Sequence, residues 1–116
     1  MRFLKILAVL LALCTEASAQ STFVTPAGPA NATIVTGGVA VTVFPASTIA
    51  RWATVENPPT ATETLYVDFT ANVATAGSST AFALSPGQGF TIPGPLSTPV
   101  TAVAATSSHT FVAVRY

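Results

Sequence analysis

Residues 50–59 read Ala50-Arg51-Trp52-Ala53-Thr54-Val55-Glu56-Asn57-Pro58-Pro59, and residues 64–70 read Thr64-Leu65-Tyr66-Val67-Asp68-Phe69-Thr70. Both stretches alternate with the period of a strand. Trp52, Thr54 and Glu56 share one face against Arg51, Ala53 and Val55, while Leu65, Val67 and Phe69 oppose Tyr66 and Asp68. Asn57-Pro58-Pro59 ends the first strand, because two successive prolines withhold two backbone donors from any ladder. Two such strands joined by a short loop call for an antiparallel partner sheet to cover their apolar faces.

The same grammar extends in both directions. Runs rich in Val, Thr, Ile and Phe predict further strands at Thr33 to Thr36, Val39 to Phe44, Thr80 to Leu84, Gly89 to Ile92, Val100 to Ala105 and Thr110 to Tyr116. Between them stand turn signals: Gly37-Gly38 suits a tight hairpin, and Ser85-Pro86-Gly87 suits a turn with Pro in its second position. No segment carries a helical period. The fold class is therefore all-β, a single antiparallel β-sandwich or jelly-roll-like domain of about seven or eight short strands. Its core is expected from Val41, Val43, Leu65, Val67, Phe69, Phe82, Leu84, Val112 and Val114.

Residues 1–19 read as an export signal. Arg2 and Lys5 supply the positive start, Ile6 to Leu13 the apolar run, and Ala17-Ser18-Ala19 the small residues at a cleavage site between Ala19 and Gln20. The apolar run is far shorter than the ~20 residues that span a bilayer, so no stable membrane span is expected. Cys14 stands where a lipoprotein signal carries its lipidated cysteine, but Leu13 occupies the place of the small residue such signals require. The mature chain is expected to be secreted or periplasmic. Residues 20–31, with Pro26, Gly28 and Pro29, read as a flexible N-terminal arm, and residues 32–116 as the sandwich.

From Gln20 onward the charged side chains are Arg51, Arg115, Glu56, Glu63 and Asp68, a balance of one negative charge with His109 neutral. Lys is absent from that part, as is Cys. Nucleic acid is excluded as a partner on this ground, since phosphate binding rests on clustered Lys and Arg. Without disulfides the domain must hold by packing and hydrogen bonds. A soluble monomer ordinarily keeps about a quarter of its surface charged, so a surface this neutral points to solubility through hydroxyls or to coverage by identical neighbours.

Residues for chemistry are few. His109 adjoins Ser107 and Ser108, but adjacency in a turn builds no triad, and no spacing links Asp68 to His109. Glu56 and Glu63 bracket the loop Asn57 to Thr62, where a glycosidase pair would have to face across its mouth; solvated strand ends explain them more simply. One His and three scattered carboxylates contain no metal-ligand spacing, and Gly87-Gln88-Gly89 lacks the rest of a dinucleotide fingerprint. The chain is expected to have no catalytic, metal or cofactor site. Carbohydrate is a possible ligand through Trp52 and Tyr66, provided both lie exposed on one flat face. Arg51 and Asn57 are candidates for fastening the adjoining loop through hydrogen bonds. Asn31-Ala32-Thr33 fits a glycosylation sequon, which matters only in a host that modifies secreted chains.

Arg51-Trp52-Ala53-Thr54-Val55-Glu56-Asn57, then Leu65-Tyr66-Val67-Asp68-Phe69, then Leu84-Ser85-Pro86-Gly87, then a Val/Ala/Thr-rich ending form a pattern of their own. Over Val39 to Tyr116 it resembles small β-sandwich proteins encoded among the virion structural genes of tailed phages and their bacterial relatives. The resemblance implies a non-enzymatic surface or assembly module, either a virion decoration protein or a secreted relative. Phage capsid parts assemble inside the cell, so the export signal points to the relative. The expected function is a secreted structural β-sandwich that acts by protein contact, as a homo-oligomer or a larger surface assembly, with carbohydrate binding as the alternative.

Overall fold

The computed structural model describes residues 27–116; the expected signal, its expected cleavage point, Cys14 and most of the expected arm lie outside them. The described residues form nine short strands and no helix: β1 (Thr33–Ile34), β2 (Val41–Phe44), β3 (Trp52–Glu56), β4 (Leu65–Asp68), β5 (Phe82–Leu84), β6 (Gly89–Pro93), β7 (Val100–Val103), β8 (His109–Thr110) and β9 (Val112–Arg115). Every pairing is antiparallel. One sheet has the order β2-β7-β4-β5, a second the order β6-β3-β9, and β1 with β8 makes a two-stranded ladder. All eight expected strands are present, and the last is divided into β8 and β9.

The two larger sheets face each other. Val43, Leu65, Val67, Leu84, Val100 and Ala102 from the first sheet meet Ala53, Val55, Ile92 and Ala113 from the second, with Ile34, Phe44 and Phe111 completing the cluster. Val43 and Phe44 are consecutive yet both fully buried, which the register shift between Thr42 and Phe44 permits. Each buried side chain of this size contributes roughly 1.5–3 kcal/mol, and the described residues, which include no Cys, are held by this packing rather than by disulfides.

The outermost strands correct part of the expected core. Val112 is 56% exposed and Val114 half-buried, while Phe111 and Ala113 are buried. Cross-strand partners share a face, and Ala113 lies opposite Val55, so the inward set is 111 and 113. Phe82 lies opposite Val67 and also points inward, but it sits on the edge strand β5 and remains 40% exposed. Phe69 and Val41 are half-buried against the core. Asp68, expected on an outward face with Tyr66, is fully buried. The β4–β5 connection folds over that face, so an outward direction does not bring solvent contact.

Turns follow their residues. In Ser85-Pro86-Gly87-Gln88 the Gln88 N–H donates to the Ser85 carbonyl at 2.9 Å with Gly87 at φ +83°, and the turn carries the chain from one sheet to the other. The Gly37-Gly38 turn is also present, Val39 N–H to Thr36 carbonyl at 3.1 Å. It does not close a hairpin, because β1 pairs with β8 and β2 with β7. Gly37 is needed for closeness: a Cβ there would collide with the backbone of Ala105.

Residues 27–31, the described end of the expected arm, are fastened to the domain. Ala27 exchanges both backbone bonds with Arg115 at 2.8 and 3.0 Å, on the free edge of β9. Ala30 N–H donates to Val43 and the Asn31 amide to the Thr42 carbonyl, on the free edge of β2. One flank of the sandwich is thereby strapped by its own chain.

Candidate functional site

The densest polar array stands at the end of the sandwich where the 57–63 loop, the 105–108 loop and β8 converge. Asn57, where the two prolines end β3, is fully buried. Its Nδ2 donates to the carbonyls of Glu63 and Leu84, both at 2.8 Å, which fixes Oδ1 as the acceptor facing His109 Nε2 at 3.0 Å. The other ring nitrogen, Nδ1, lies 3.1 Å from Glu63 Oε1. Glu63 also accepts from the Ala105 N–H and from the backbone and hydroxyl of Thr106. Foremost the Thr106 hydroxyl, then its N–H, the His109 imidazole and the Ala105 N–H hold the Glu63 carboxyl below its ordinary value against the opposing pull of burial.

Nε2 therefore carries the ring hydrogen that Asn57 Oδ1 accepts, and Nδ1 faces the Glu63 carboxylate. General-base catalysis needs a ring nitrogen aimed at a nucleophile, whereas the two nitrogens of this imidazole face Asn57 and Glu63. Ser107 is also engaged, its hydroxyl accepting from Gly37 N–H at 2.9 Å. A shallow crevice of about 210 Å³ lies outside the array, lined by Pro58, Ala61, His109 and the hydroxyls of Thr60, Thr62, Thr106, Ser107, Ser108 and Thr110.

A second array surrounds Asp68, which accepts from the Thr70 N–H at 2.7 Å and hydroxyl at 2.8 Å, and from the Thr80 hydroxyl at 2.6 Å. Burial raises the Asp68 carboxyl, and the three bonds outweigh it, leaving the group below its ordinary value. Thr101 continues the array, accepting from Ala74 N–H at 2.8 Å and donating to the Asn72 carbonyl at 3.2 Å. No buried side-chain polar atom of the described residues lacks a partner. Asp68 and His109 thus belong to separate networks, and Glu56 lies on the outer face of β3 while Glu63 turns to the 105–109 segment.

The sequence candidates separate. Trp52 projects from the outer face of β3, and Tyr66 from the outer face of β4 in the opposite sheet, so the two share no surface. Trp52 instead stacks on Tyr116, with centroids 4.0 Å apart and planes at 25°. Arg51 is exposed and works through its backbone, donating to the Tyr116 carbonyl and accepting from Gly94 N–H at 2.6 Å. Asn57 ties the loop beside it from Pro58 to Glu63 by its bond to the Glu63 carbonyl. Among the described residues no three His, Cys, Asp or Glu come together as a metal-binding group, and no helix is long and apolar enough to cross a membrane.

One aromatic group had no signal in sequence spacing. Phe69, Phe82 and Phe90 stack nearly parallel with centroids 4.5 to 5.7 Å apart. Phe82 from β5 and Phe90 from β6 face each other across the gap between the sheets, on the flank opposite the 27–31 strap. No protein-family model, curated protein or solved structure matches the chain.

Proposed function

We propose that the protein is an exported structural module that works by contact and associates with copies of itself. The observation that carries this reading is the outer face of the β6-β3-β9 sheet. Its three cross-strand rows are Pro93–Trp52, Thr91–Thr54–Val114 and Gly89–Glu56–Val112, with Tyr116 stacked on Trp52. Glu56 is its one charge. Val112 is 56% exposed on it, Trp52 keeps 39% exposure beside Tyr116, and Val35, Val39, Ile49 and Val73 are exposed elsewhere. Five charged side chains on residues 20–116 leave little electrostatic barrier between copies.

The polar arrays support the same reading. Their bonds close on the protein itself, which rigidifies the surface a partner would meet. A sugar platform on Trp52 and Tyr66 has less support, because the two lie on opposite sheets and Trp52 already spends one ring face on Tyr116. The reading is tested by placing charge on the face. Val112→Lys in the mature chain should weaken association measured by light scattering while leaving the urea midpoint nearly unchanged; association indifferent to that charge would remove this face from the account.

A further inference from the structure

The two flanks of the sandwich are closed in different ways. On the β9/β2 flank, residues 27–31 satisfy both sheet edges with backbone and amide bonds. On the other, no strand among the described residues pairs with the outer side of β5 or of β6. Neither strand carries a charged residue, one of the features that protect an edge from pairing. The gap between them holds the stacked rings of Phe69, Phe82 and Phe90, with Phe82 40% exposed. Beside Phe69 opens a crevice of about 150 Å³ walled by Phe69, Ile92, Pro93, Pro95, Leu96, Ser97 and Thr98.

We propose that this flank receives residues Gln20–Pro26 of a second copy, with Phe23 or Val24 against the Phe82 ring and the backbone of Phe23-Val24-Thr25 beside β5. The inference rests on the self-association reading and adds a second contact, distinct from the outer face of the β6-β3-β9 sheet. The segment carries three strand-favouring residues in a row, equal in length to β5, no charge to repel a neutral edge, and Pro26 to end the pairing.

Its point of attachment selects the second copy. Ala27 is bonded to Arg115 on β9, two strands from β6, a lateral separation of about 10 Å before the depth of the sandwich is added. Phe23, four residues earlier, reaches at most about 13 Å from there. Within one copy that length is consumed in reaching the other flank; between copies it is free to pair.

The test uses the full mature chain and substitutions at both ends of the contact. Phe23→Ser lies outside the described fold, and Phe82→Ser alters a half-exposed ring; the urea midpoint of each verifies that the fold is retained. Sedimentation of the parent, each variant and their mixture is compared. The expected result is at least a tenfold weaker association for either variant, with the Phe23→Ser and Phe82→Ser chains together recovering mixed pairs that neither forms alone. Association unchanged by Phe23→Ser would overturn the arm contact while leaving self-association standing. A parent chain that stays at single-chain mass would overturn both.

Discussion

His109 Nε2 and Asn57 Oδ1, from residues 52 positions apart in the chain, meet at 3.0 Å in the buried end of the sandwich. The amide cannot turn over without losing its two donations to Glu63 and Leu84, so the contact has one polarity, ring N–H to amide oxygen. Through this pair the end of β3, the loop after it, the end of β5 and β8 are held as one piece.

Asn57→Ala should therefore be among the most damaging single changes. It leaves two carbonyls and a ring N–H without partners, at a cost of about 1–3 kcal/mol for each buried group. A loss of about 3 kcal/mol or more is expected from urea unfolding monitored by the emission of Trp52.

The polarity of the His109–Asn57 contact is open to direct observation. Nitrogen-15 correlation spectra of the folded protein should show a proton at Nε2 of His109, and Glu63→Gln should change the Nδ1 signal more than the Nε2 signal. An Nε2 without a proton in the folded protein would contradict the bonding described.

Acid should weaken the fold through Glu63 and Asp68. Both carboxyls sit below their ordinary values in the folded chain, so each contributes stability that is complete above its unfolded value and is lost as pH falls through the folded one. Urea midpoints taken from neutrality into acid should fall. The fall should be shallower in Thr80→Val, which removes a principal donor to Asp68.

Tyr116→Ala should expose one face of Trp52, the chain's single tryptophan. A shift of emission to longer wavelength is expected, with a stability loss of about 1 kcal/mol for the aromatic pair. Soluble oligosaccharides should leave the emission of the parent unchanged.

Much of this architecture was legible in the residues. Val, Thr, Ile and Phe runs between Gly, Pro and Asn breaks located the strands, and Leu65 to Val67 showed which face turns inward, because polar and apolar side chains alternate there; on Arg51 to Glu56 each face mixes polar and apolar residues, and the burial of Ala53 and Val55 did not stand out. The pattern loses contrast at Phe111-Val112-Ala113-Val114, where every residue is apolar and only pairing with Ala53 and Val55 decides the face. The burial of Asp68 depends on a connection folding back over it. The Asn57, Glu63 and His109 array joins residues 46 and 52 positions apart, a separation that no local spacing encodes. The stacking of Phe69, Phe82 and Phe90 arises from the meeting of two sheet edges, which follows from strand order rather than periodicity.

The central claim is that copies of this domain associate. Sedimentation equilibrium of residues 20–116, from low micromolar to near-millimolar concentration, tests it most directly. The account expects an average mass that rises above that of one chain toward a defined assembly; a single-chain mass over the whole range would contradict it.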